Sequence, residues 1–353
     1  MASQKTLIPL STCRIIAFGK YQLTGKKFGE GSFSKVREAH DTEKKMTVAL
    51  KITDTKNLSN DYIERSCMRE AQILAKINHF NIVKMFDCFK ASSRYVLVLE
   101  VVPINLCDFI EQQHNSRLKE VTCRSIFRQI VAATAYLHKK DIIHRDIKLE
   151  NILLDPKTFI AKLTDFGLST EWSNKDERLK TNCGSPEYSA PELHEGLKYT
   201  NAVDIWALGV VLFAMIVGRL PFDISNKRPV SVKHRRELFL EEIKFGIKTR
   251  KHQSILFSAT SLVKDLLSLM LNPDFSKRIQ IDKVEQHKWL MFKTSVNALP
   301  TKFVNKNSTS SQAAGRAETT IESTPCKSST NIRPVTRVNM DKPRLSTKKY
   351  NCI

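Results

Sequence analysis

The sequence predicts an α+β protein with a small β-rich amino-terminal lobe, a larger α-helical carboxy-terminal lobe and a disordered basic tail. Short runs of β-forming residues bounded by turn residues occupy residues 21–102. Apolar residues recur at helical spacing through residues 103–292. The length of 353 residues suits one large domain with extensions. We therefore predict an amino-terminal extension over residues 1–20, one bilobal domain over residues 21–292 and a tail over residues 293–353.

Three segments of the small lobe have the pattern of strands. They are the region around Val36, the pair Lys51-Ile52 and residues 95–99. One longer stretch, residues 61–77, carries apolar side chains at helical spacing. We expect a sheet and a helix in this lobe.

Four stretches of the large lobe carry helical apolar spacing, namely residues 109–113, 121–138, 202–217 and 261–271. The longest apolar run, residues 205–218, has 14 residues. A helix that crosses a bilayer needs about 20. We therefore predict a buried core helix here and no transmembrane segment.

The last 61 residues differ from the rest in composition. They include 17 Ser or Thr and 11 Lys or Arg, but only 3 Asp or Glu. Few apolar side chains are present to offset the entropy of ordering, so we predict disorder. Because the whole chain has a net charge of +21, contact of this basic tail with nucleic acid or an anionic membrane is one hypothesis. A solvated basic surface is the alternative, since the tail lacks interleaved aromatic residues and an amphipathic pattern.

The chain ends and the cysteines favour an intracellular protein. The opening residues MASQKTL lack the layout of a signal peptide, and Ala2 stands where myristoylation requires glycine. Cys352 is next to last, so it forms no prenylation box. None of the eight cysteines form a CxxC pair, so we expect reduced thiols and no structural zinc. The expected location is the cytoplasm, with the nucleus as a further possibility.

A glycine-rich motif reads Gly29-Glu30-Gly31-Ser32-Phe33-Ser34-Lys35-Val36. Glycines let a hairpin approach a triphosphate closely and offer it backbone N–H groups. Alone, a GxG turn is weak evidence for nucleotide binding. Ser34 also replaces the third glycine of the pattern GxGxxGxV.

The next predicted strand ends in a lysine, in Val48-Ala49-Leu50-Lys51. Glu70 follows nineteen residues later on the predicted helix. A lone lysine at a strand end is usually a solvated charge. Between a glycine loop and a helical acid, Lys51 instead fits a clamp on the α- and β-phosphates of ATP, with Glu70 as its ion-pair partner.

Three further motifs follow in order. They are His144-Arg145-Asp146-Ile147-Lys148-Leu149-Glu150-Asn151, which matches HRDxKxxN, then Asp165-Phe166-Gly167, and then Ala190-Pro191-Glu192. Structural coincidence does not produce so many motifs in this order and at these spacings. On these motifs, residues 21–292 resemble the protein kinase family, which implies the bilobal kinase fold and phosphate transfer from ATP.

The resemblance also implies the catalytic roles. Asp146 would accept the proton of the substrate hydroxyl or orient that hydroxyl, and Lys148 would face the γ-phosphate. Asp165 and Asn151 would hold Mg²⁺, which prefers such oxygen ligands. The lysine two residues after Asp146 is typical of serine/threonine kinases, so the implied substrates are proteins with Ser or Thr acceptors. The implied cofactors are ATP and Mg²⁺.

The resemblance further implies an adenine pocket between Val36, Ala49 and Leu153. Leu99 would guard its rear, and the hinge would follow at Glu100-Val101-Val102. The complete implied ATP-binding set is Gly29, Glu30, Gly31, Ser32, Phe33, Ser34, Val36, Ala49, Lys51, Glu70, Glu100, Val102 and Leu153.

Two structural features are implied as well. Leu74, His144 and Phe166 match an internal stack that joins the lobes of active kinases. Glu192 and Arg278 match an ion pair of the large lobe. Taken singly, each apolar residue is explained better by core packing, so the joint fit carries the assignment.

Arg145 implies control through the activation segment, because kinases with this arginine use it to pair with a phosphate there. Thr181 is the expected acceptor, which requires an upstream activating kinase. Ser185 is expected to contact the catalytic loop rather than to be a regulated site.

The segment 179–192 resembles the AMP-activated protein kinase-related branch of the calcium/calmodulin-dependent kinase group. Within it, the testis-specific serine kinases and the hormonally up-regulated Neu-associated kinase are the two suggested relatives. Glu150 would attract basic residues in substrates, although Asn105 stands where many relatives carry an acid. Residues 226–236 resemble a basic insertion, either a solvated loop or a docking or nuclear-import patch.

The main alternative function is that of a pseudokinase, a non-catalytic scaffold with the kinase fold. Its usual sign is loss of the clamp lysine, the catalytic Asp or the metal-binding Asp. Lys51, Asp146 and Asp165 are all present, which favours an active enzyme.

Overall fold

A six-stranded antiparallel sheet forms most of the small lobe. The computed structural model describes residues 17–31, 34–59, 63–174, 179, 181, 183–224 and 230–292. The strand order is β1-β2-β3-β4-β6-β5. The strands are β1 Ala17–Phe18, β2 Tyr21–Glu30, β3 Ser34–Asp41, β4 Met46–Asp54, β5 Met85–Ala91 and β6 Arg94–Leu99.

The two faces of this sheet belong to different cores, because successive strand residues point to opposite faces. One face forms a small cluster that includes Tyr21, Val48 and Val96. The other face places Ala49 and Leu99 in the main core of the protein. The three predicted strand segments lie within β3, β4 and β6.

Helix α1, Arg69–Lys76, packs on the sheet and is preceded by a π-helical turn, Ile63–Met68. The prediction of a helix over residues 61–77 is therefore confirmed from residue 63 to residue 76, but its first part has wider winding. Ile73 and Leu74 are buried, and Glu70 is buried in the first turn of α1.

Helices dominate the large lobe. They are α2 Leu106–Glu111, α3 Glu120–Lys139, α4 Pro191–His194, α5 Ala202–Val217, α6 Val232–Ile243, α7 Arg250–Ile255, α8 Ser261–Met270, α9 Ile281–Glu285 and α10 Lys288–Met291. Short strands complete it, namely β7 Ile104–Asn105, β8 Ile142–Ile143, β9 Ile152–Leu154, β10 Ala161–Leu163 and β11 Thr170–Glu171.

Helix α5 is the centre of the large lobe, as its apolar sequence predicts. Every residue from Val203 to Met215 is buried. The helix ends at Gly218, whose φ of 83° is left-handed and favours glycine. Among the described residues, none of the helices are both long and apolar enough to span a membrane.

The predicted basic insertion over residues 226–236 divides into two parts. Residues 226–229 lie outside the described residues, whereas residues 232–236 form the first turns of α6. The Ser231 side chain accepts a hydrogen bond from the main-chain nitrogen of His234 and so caps this helix. Periodicity could not predict α6, because charged residues dominate it and only Phe239 and Ile243 are buried.

Candidate active site

The glycine-rich motif forms the turn of the β2–β3 hairpin. Gly29 pairs with Val36, and the nitrogen of Gly31 donates a 2.6 Å hydrogen bond to the oxygen of Ser34. Ser32 and Phe33 lie outside the described residues. The described positions of the motif thus lie on the two paired strands β2 and β3 and at their junction.

The Glu30 side chain contributes to the surface of this hairpin. It forms ion pairs with Lys27 and with Lys35, the latter at 3.0 Å. These pairs lower the pKa of Glu30 to about 2. The main chain of Glu30, rather than its carboxylate, is therefore the part that fits the predicted contact with ATP.

Lys51 connects the two lobes electrostatically. Its Nζ lies 2.7 Å from Glu70 Oε2 on α1 and 2.8 Å from Asp165 Oδ1. Burial opposes the charge of Lys51, but the two carboxylates outweigh it and raise the pKa of the amine. The ammonium of Lys51 lowers the pKa of Asp165, whereas burial raises the pKa of Glu70. The predicted Lys51–Glu70 pair is thus present.

Asp146 is the most densely contacted side chain of the catalytic loop. Its Oδ1 accepts hydrogen bonds from Ser185 Oγ at 2.9 Å and from the Ser185 nitrogen at 3.1 Å. Its Oδ2 lies 2.8 Å from Lys148 Nζ and accepts a 2.9 Å bond from Asn151 Nδ2. Lys148 Nζ also donates to Ser185 Oγ at 2.7 Å. The structure therefore brings three other predicted site residues, Ser185, Lys148 and Asn151, around the Asp146 carboxylate.

Asp204, on α5, binds the main chain of the catalytic loop. Its carboxylate accepts hydrogen bonds from the main-chain nitrogens of His144 and Arg145, each at 2.9 Å, and lies 2.9 Å from His138 Nε2. Asp204 is 1% exposed, so these contacts compensate a buried charge. This role of Asp204 was not predicted from the sequence. An acid inside an otherwise apolar core helix was the available signal.

The residues of the predicted internal stack are buried in the main core of the protein. The His144 and Phe166 rings contact each other at 4.9 Å in an edge arrangement, and both are fully buried. Leu74 is buried in the same core. The nitrogen of Phe166 donates to Glu70 Oε1 at 3.3 Å, which links the stack to the ion pair.

The residues of the predicted adenine pocket lie on three strands of the small-lobe sheet and on β9. Ala49 is buried opposite Leu99 in the β4–β6 pair, and Val36 and Leu153 are partly buried against the main core. The Glu100 side chain is engaged outside the predicted pocket residues, because it accepts a 2.8 Å hydrogen bond from the main-chain nitrogen of Lys84. It also pairs with Lys162 at 3.0 Å. At Glu100, the main chain is consequently the group that fits an adenine contact, as it is at Val102.

Arg145 connects the catalytic loop to the activation segment. Its Nε donates to the oxygen of Leu168 at 2.6 Å, and its Nη1 donates to the Tyr199 hydroxyl at 3.0 Å. That hydroxyl donates to the main-chain oxygen of Thr181 at 2.7 Å. The Thr181 side chain is exposed. The predicted acceptor is thus accessible and lies one bridging side chain away from Arg145.

Two residues with predicted links to substrate have additional structural settings. Glu150 lies in the turn Leu149–Asn151. Burial is the main cause that raises the pKa of the Tyr188 hydroxyl, and the nearby Glu150 carboxylate raises it further. Asn105 is the N-cap of α2 and accepts a 2.8 Å hydrogen bond from the Asp108 nitrogen. Helix capping explains why asparagine suits this position.

The predicted large-lobe ion pair is bidentate and buried. Arg278 Nη1 and Nη2 donate to the two oxygens of Glu192 at 2.7 and 2.9 Å. The side chains of Arg278 and Glu192 are 0% and 2% exposed. This pair ties the end of the activation segment to the segment that precedes α9.

The side chains at the predicted magnesium positions have suitable chemistry. Asp165 offers a carboxylate that is 45% exposed toward the cleft, and Asn151 offers an amide oxygen while its Nδ2 is engaged by Asp146. Hard oxygen donors with room for water and phosphate are what Mg²⁺ requires. Among the described residues, no cluster of three or more His, Cys, Asp or Glu side chains could hold a metal ion by itself. The donors therefore fit a cation that is shared with a nucleotide.

A family model described as the protein kinase domain matches residues 22–290. This chain belongs to the protein kinase family. The kinase is 37% identical over 320 residues to testis-specific serine/threonine-protein kinase 1 of Mus musculus. The aligned region covers 88% of this chain and 83% of that protein. It is 36% identical over 276 residues to the hormonally up-regulated neu tumor-associated kinase of Mus musculus, covering 77% of this chain and 37% of that protein.

A plant relative extends the likeness. The kinase is 37% identical over 266 residues to the SNF1-related protein kinase catalytic subunit alpha KIN12 of Arabidopsis thaliana, covering 75% of this chain and 50% of that protein. The sequence-based assignment to the AMP-activated protein kinase-related branch is confirmed by these relatives.

Proposed function

We propose that this serine/threonine protein kinase is catalytically active and uses Asp146 as its central catalytic residue. The single observation that supports this most is the geometry around Asp146 and Lys148. Ser185 Oγ lies 2.9 Å from Asp146 Oδ1 and 2.7 Å from Lys148 Nζ. A carboxylate and an ammonium can therefore engage one hydroxyl at the same time, as transfer to a Ser or Thr acceptor requires.

Each of these residues has a distinct task in the proposed reaction. Asp146 orients the substrate hydroxyl and accepts its proton, and Lys148 stabilises charge on the transferred phosphate. Lys51, held by Glu70, positions the α- and β-phosphates of ATP. Asp204 fixes the loop through the nitrogens of His144 and Arg145. Catalysis then depends mainly on positioning and charge neutralisation.

Mg²⁺ is the metal that Asp165 and Asn151 would hold in this proposal. When bound, the ion neutralises phosphate charge. Lys51 keeps the Asp165 carboxylate ionised and ready as a ligand, since it lowers the pKa of that group. Asn151 donates to Asp146 Oδ2 and so orients the catalytic carboxylate as well.

Activation by phosphorylation of Thr181 is a further part of the proposal. The exposed Thr181 lies beside Tyr199, which contacts Arg145. A phosphate at Thr181 would lie close to the Arg145 guanidinium. Charge-assisted hydrogen bonds between the phosphate and this arginine would then order the activation segment. An upstream kinase would supply that phosphate, which makes the protein itself a phosphoprotein in a signalling chain.

The substrate context and location also belong to the proposal. Glu150 would favour basic residues before the acceptor Ser or Thr. The cytoplasm is the proposed location, with the nucleus as a second. Residues 293–353 carry most of their charge as Lys and Arg, so the tail is the proposed contact for nucleic acid or an anionic membrane.

The decisive experiment compares the wild type with Asp146→Asn in phosphate transfer from Mg-ATP to a Ser/Thr peptide library. We expect kcat to fall by about 10²–10⁴ when the general base is lost. Asp155→Asn, in the β9–β10 turn, is the matched control. Equal activity of wild type and Asp146→Asn would contradict the proposed role. If neither protein transferred phosphate, even after treatment with a kinase acting on Thr181, the result would favour the pseudokinase alternative.

A further inference from the structure

A groove outside the active site runs across the large lobe between α2, the start of α3 and the end of α5. Its main part has a volume of about 510 Å³, and a neighbouring part of about 260 Å³ continues it. Four residues line both parts, namely Arg117, Ile216, Ser258 and Ala259. Phe109, Leu118 and Phe159 are buried and give the main part an apolar floor.

The rim of the groove is basic. His114, Arg117, Lys119 and Arg219 line its two parts and are all exposed. The acid among the lining residues is Glu120, which is already engaged by Thr260 Oγ1 and Trp289 Nε1, each at 2.7 Å. An apolar floor with a cationic rim suits a peptide segment that carries an apolar side chain between carboxylates.

The described part of the chain ends beside this groove. The Arg124 guanidinium lies between the rings of Trp289 and Phe292, 5.3 and 5.2 Å from their centroids. Arg128 donates to the oxygen of Phe292 at 3.3 Å. Arg124 follows Glu120 on α3 by four residues, which is about 6 Å along the helix. The tail therefore starts about one helical turn from the groove.

Two of the three acids of the tail lie together. Residues 318–322 read Glu-Thr-Thr-Ile-Glu, with Ile321 between the two glutamates, and the third acid is Asp341. The composition predicts disorder for the 26 residues 293–318, and a random coil of this length would span about 25–30 Å on average. Such a linker gives an effective concentration of millimolar order at a site near its root. Even weak complementarity would then lead to occupancy.

We propose that residues 318–322 of the tail dock in this groove, with Ile321 on the apolar floor and Glu318 and Glu322 against the basic rim. The segment is the part of an otherwise basic tail whose charge complements the rim. Docking would tether the tail to the face formed by α2 and α3. This inference is independent of catalysis and stands or falls separately from the proposed function.

A zero-length carbodiimide cross-link on the full chain tests the contact directly. We expect Lys119 to become joined to Glu318 or Glu322, and the cross-link to persist on dilution because it is intramolecular. Lys119→Arg keeps the charge but removes the reactive amine, so it should abolish this cross-link. A mixture of isotopically labelled and unlabelled protein identifies the source of the carboxylate. An intramolecular contact joins only peptides with the same label, whereas mixed-label cross-links in the proportion expected for random pairing would overturn the proposal in favour of a second copy as occupant.

Hydrogen exchange of the full chain provides the second readout. The double variant Glu318→Lys/Glu322→Lys should exchange several-fold faster than wild type at residues 117–122. The control is Asp341→Lys, which changes the same kind of charge outside the segment and should leave exchange there unchanged. Equal exchange in wild type and the double variant, together with no cross-link at Lys119, would overturn the proposal.

Discussion

The hydroxyl of Tyr199 donates a 2.7 Å hydrogen bond to the main-chain oxygen of Thr181. Leu179 and Tyr199 also exchange backbone hydrogen bonds at 3.0 and 2.9 Å. Since Tyr199 accepts from Arg145 as well, one tyrosine hydroxyl links the main chain at Thr181 to the catalytic loop.

Thr181→Ala should lower kinase activity by roughly an order of magnitude or more, because the variant cannot acquire the proposed phosphate, which would pair with Arg145. Activity is measured on the same peptide substrate after treatment with an upstream kinase. Thr158→Ala, an exposed threonine on the β9–β10 turn, is the control and should remain active. Unchanged activity of Thr181→Ala would remove the proposed activation mechanism.

Gly184→Ala should impair catalysis more than stability. Gly184 has a φ of 101°, and a Cβ at this position would lie 2.6 Å from the Arg145 oxygen. Gly25→Ala is matched in strain, since its φ is 91°, but a Cβ there meets no atom within 4 Å. Both variants carry a backbone cost of about 1–2 kcal/mol. We expect kcat to fall more than about tenfold only for Gly184→Ala, where the catalytic loop must move.

Similar kcat values for the Gly184→Ala and Gly25→Ala variants would show that the close contact with Arg145 is without catalytic consequence. Thermal unfolding of both variants separates this result from simple loss of folded enzyme.

Arg278→Ala should destabilise the kinase by about 3–5 kcal/mol, because it leaves the Glu192 carboxylate buried without its partner. The measurement is the free energy of unfolding in urea. Lys277→Ala breaks an exposed pair with Asp274 at the adjacent position and should change the unfolding free energy little. If the two variants were equally stable, the buried pair would not hold the activation segment to the segment before α9.

His252→Gln should weaken the loss of stability at acid pH. Burial lowers the pKa of His252, whose Nε2 lies 2.8 Å from the Pro221 oxygen. The unfolded chain therefore binds a proton at this histidine near pH 6.5, whereas the folded chain does so only at lower pH. The unfolding free energy must then fall as pH decreases below about 6.5. His144 and His194 contribute with the same sign.

The slope of unfolding free energy against pH between 7 and 5.5 should be smaller for His252→Gln than for wild type. Because it is the slope that is compared, any constant cost of the glutamine cancels. His40→Gln, an exposed position on β3, is the control and should keep the wild-type slope. A wild-type slope for His252→Gln would contradict the assignment.

Much of the candidate active site could be predicted because its residues belong to local motifs with fixed spacing. Lys51 and Glu70 lie nineteen residues apart on a strand and a helix with recognisable patterns, and the structure brings them within 2.7 Å. Asp204 is different. Its function arises from contacts with His138, His144 and Arg145, which lie 59–66 residues away in sequence. No local pattern connects these residues.

The sequence by itself determined the kinase family, the two lobes and the residues proposed to perform the chemistry, because these depend on residue type at fixed short spacing. The tertiary structure alone decided the support of the catalytic loop by Asp204, the bridge from Tyr199 to Thr181 and the groove beside α3. It also decided the helix α6, which has little apolar periodicity. These features depend on long-range packing, in which distant segments bury one another's polar groups, and sequence spacing carries no record of such contacts.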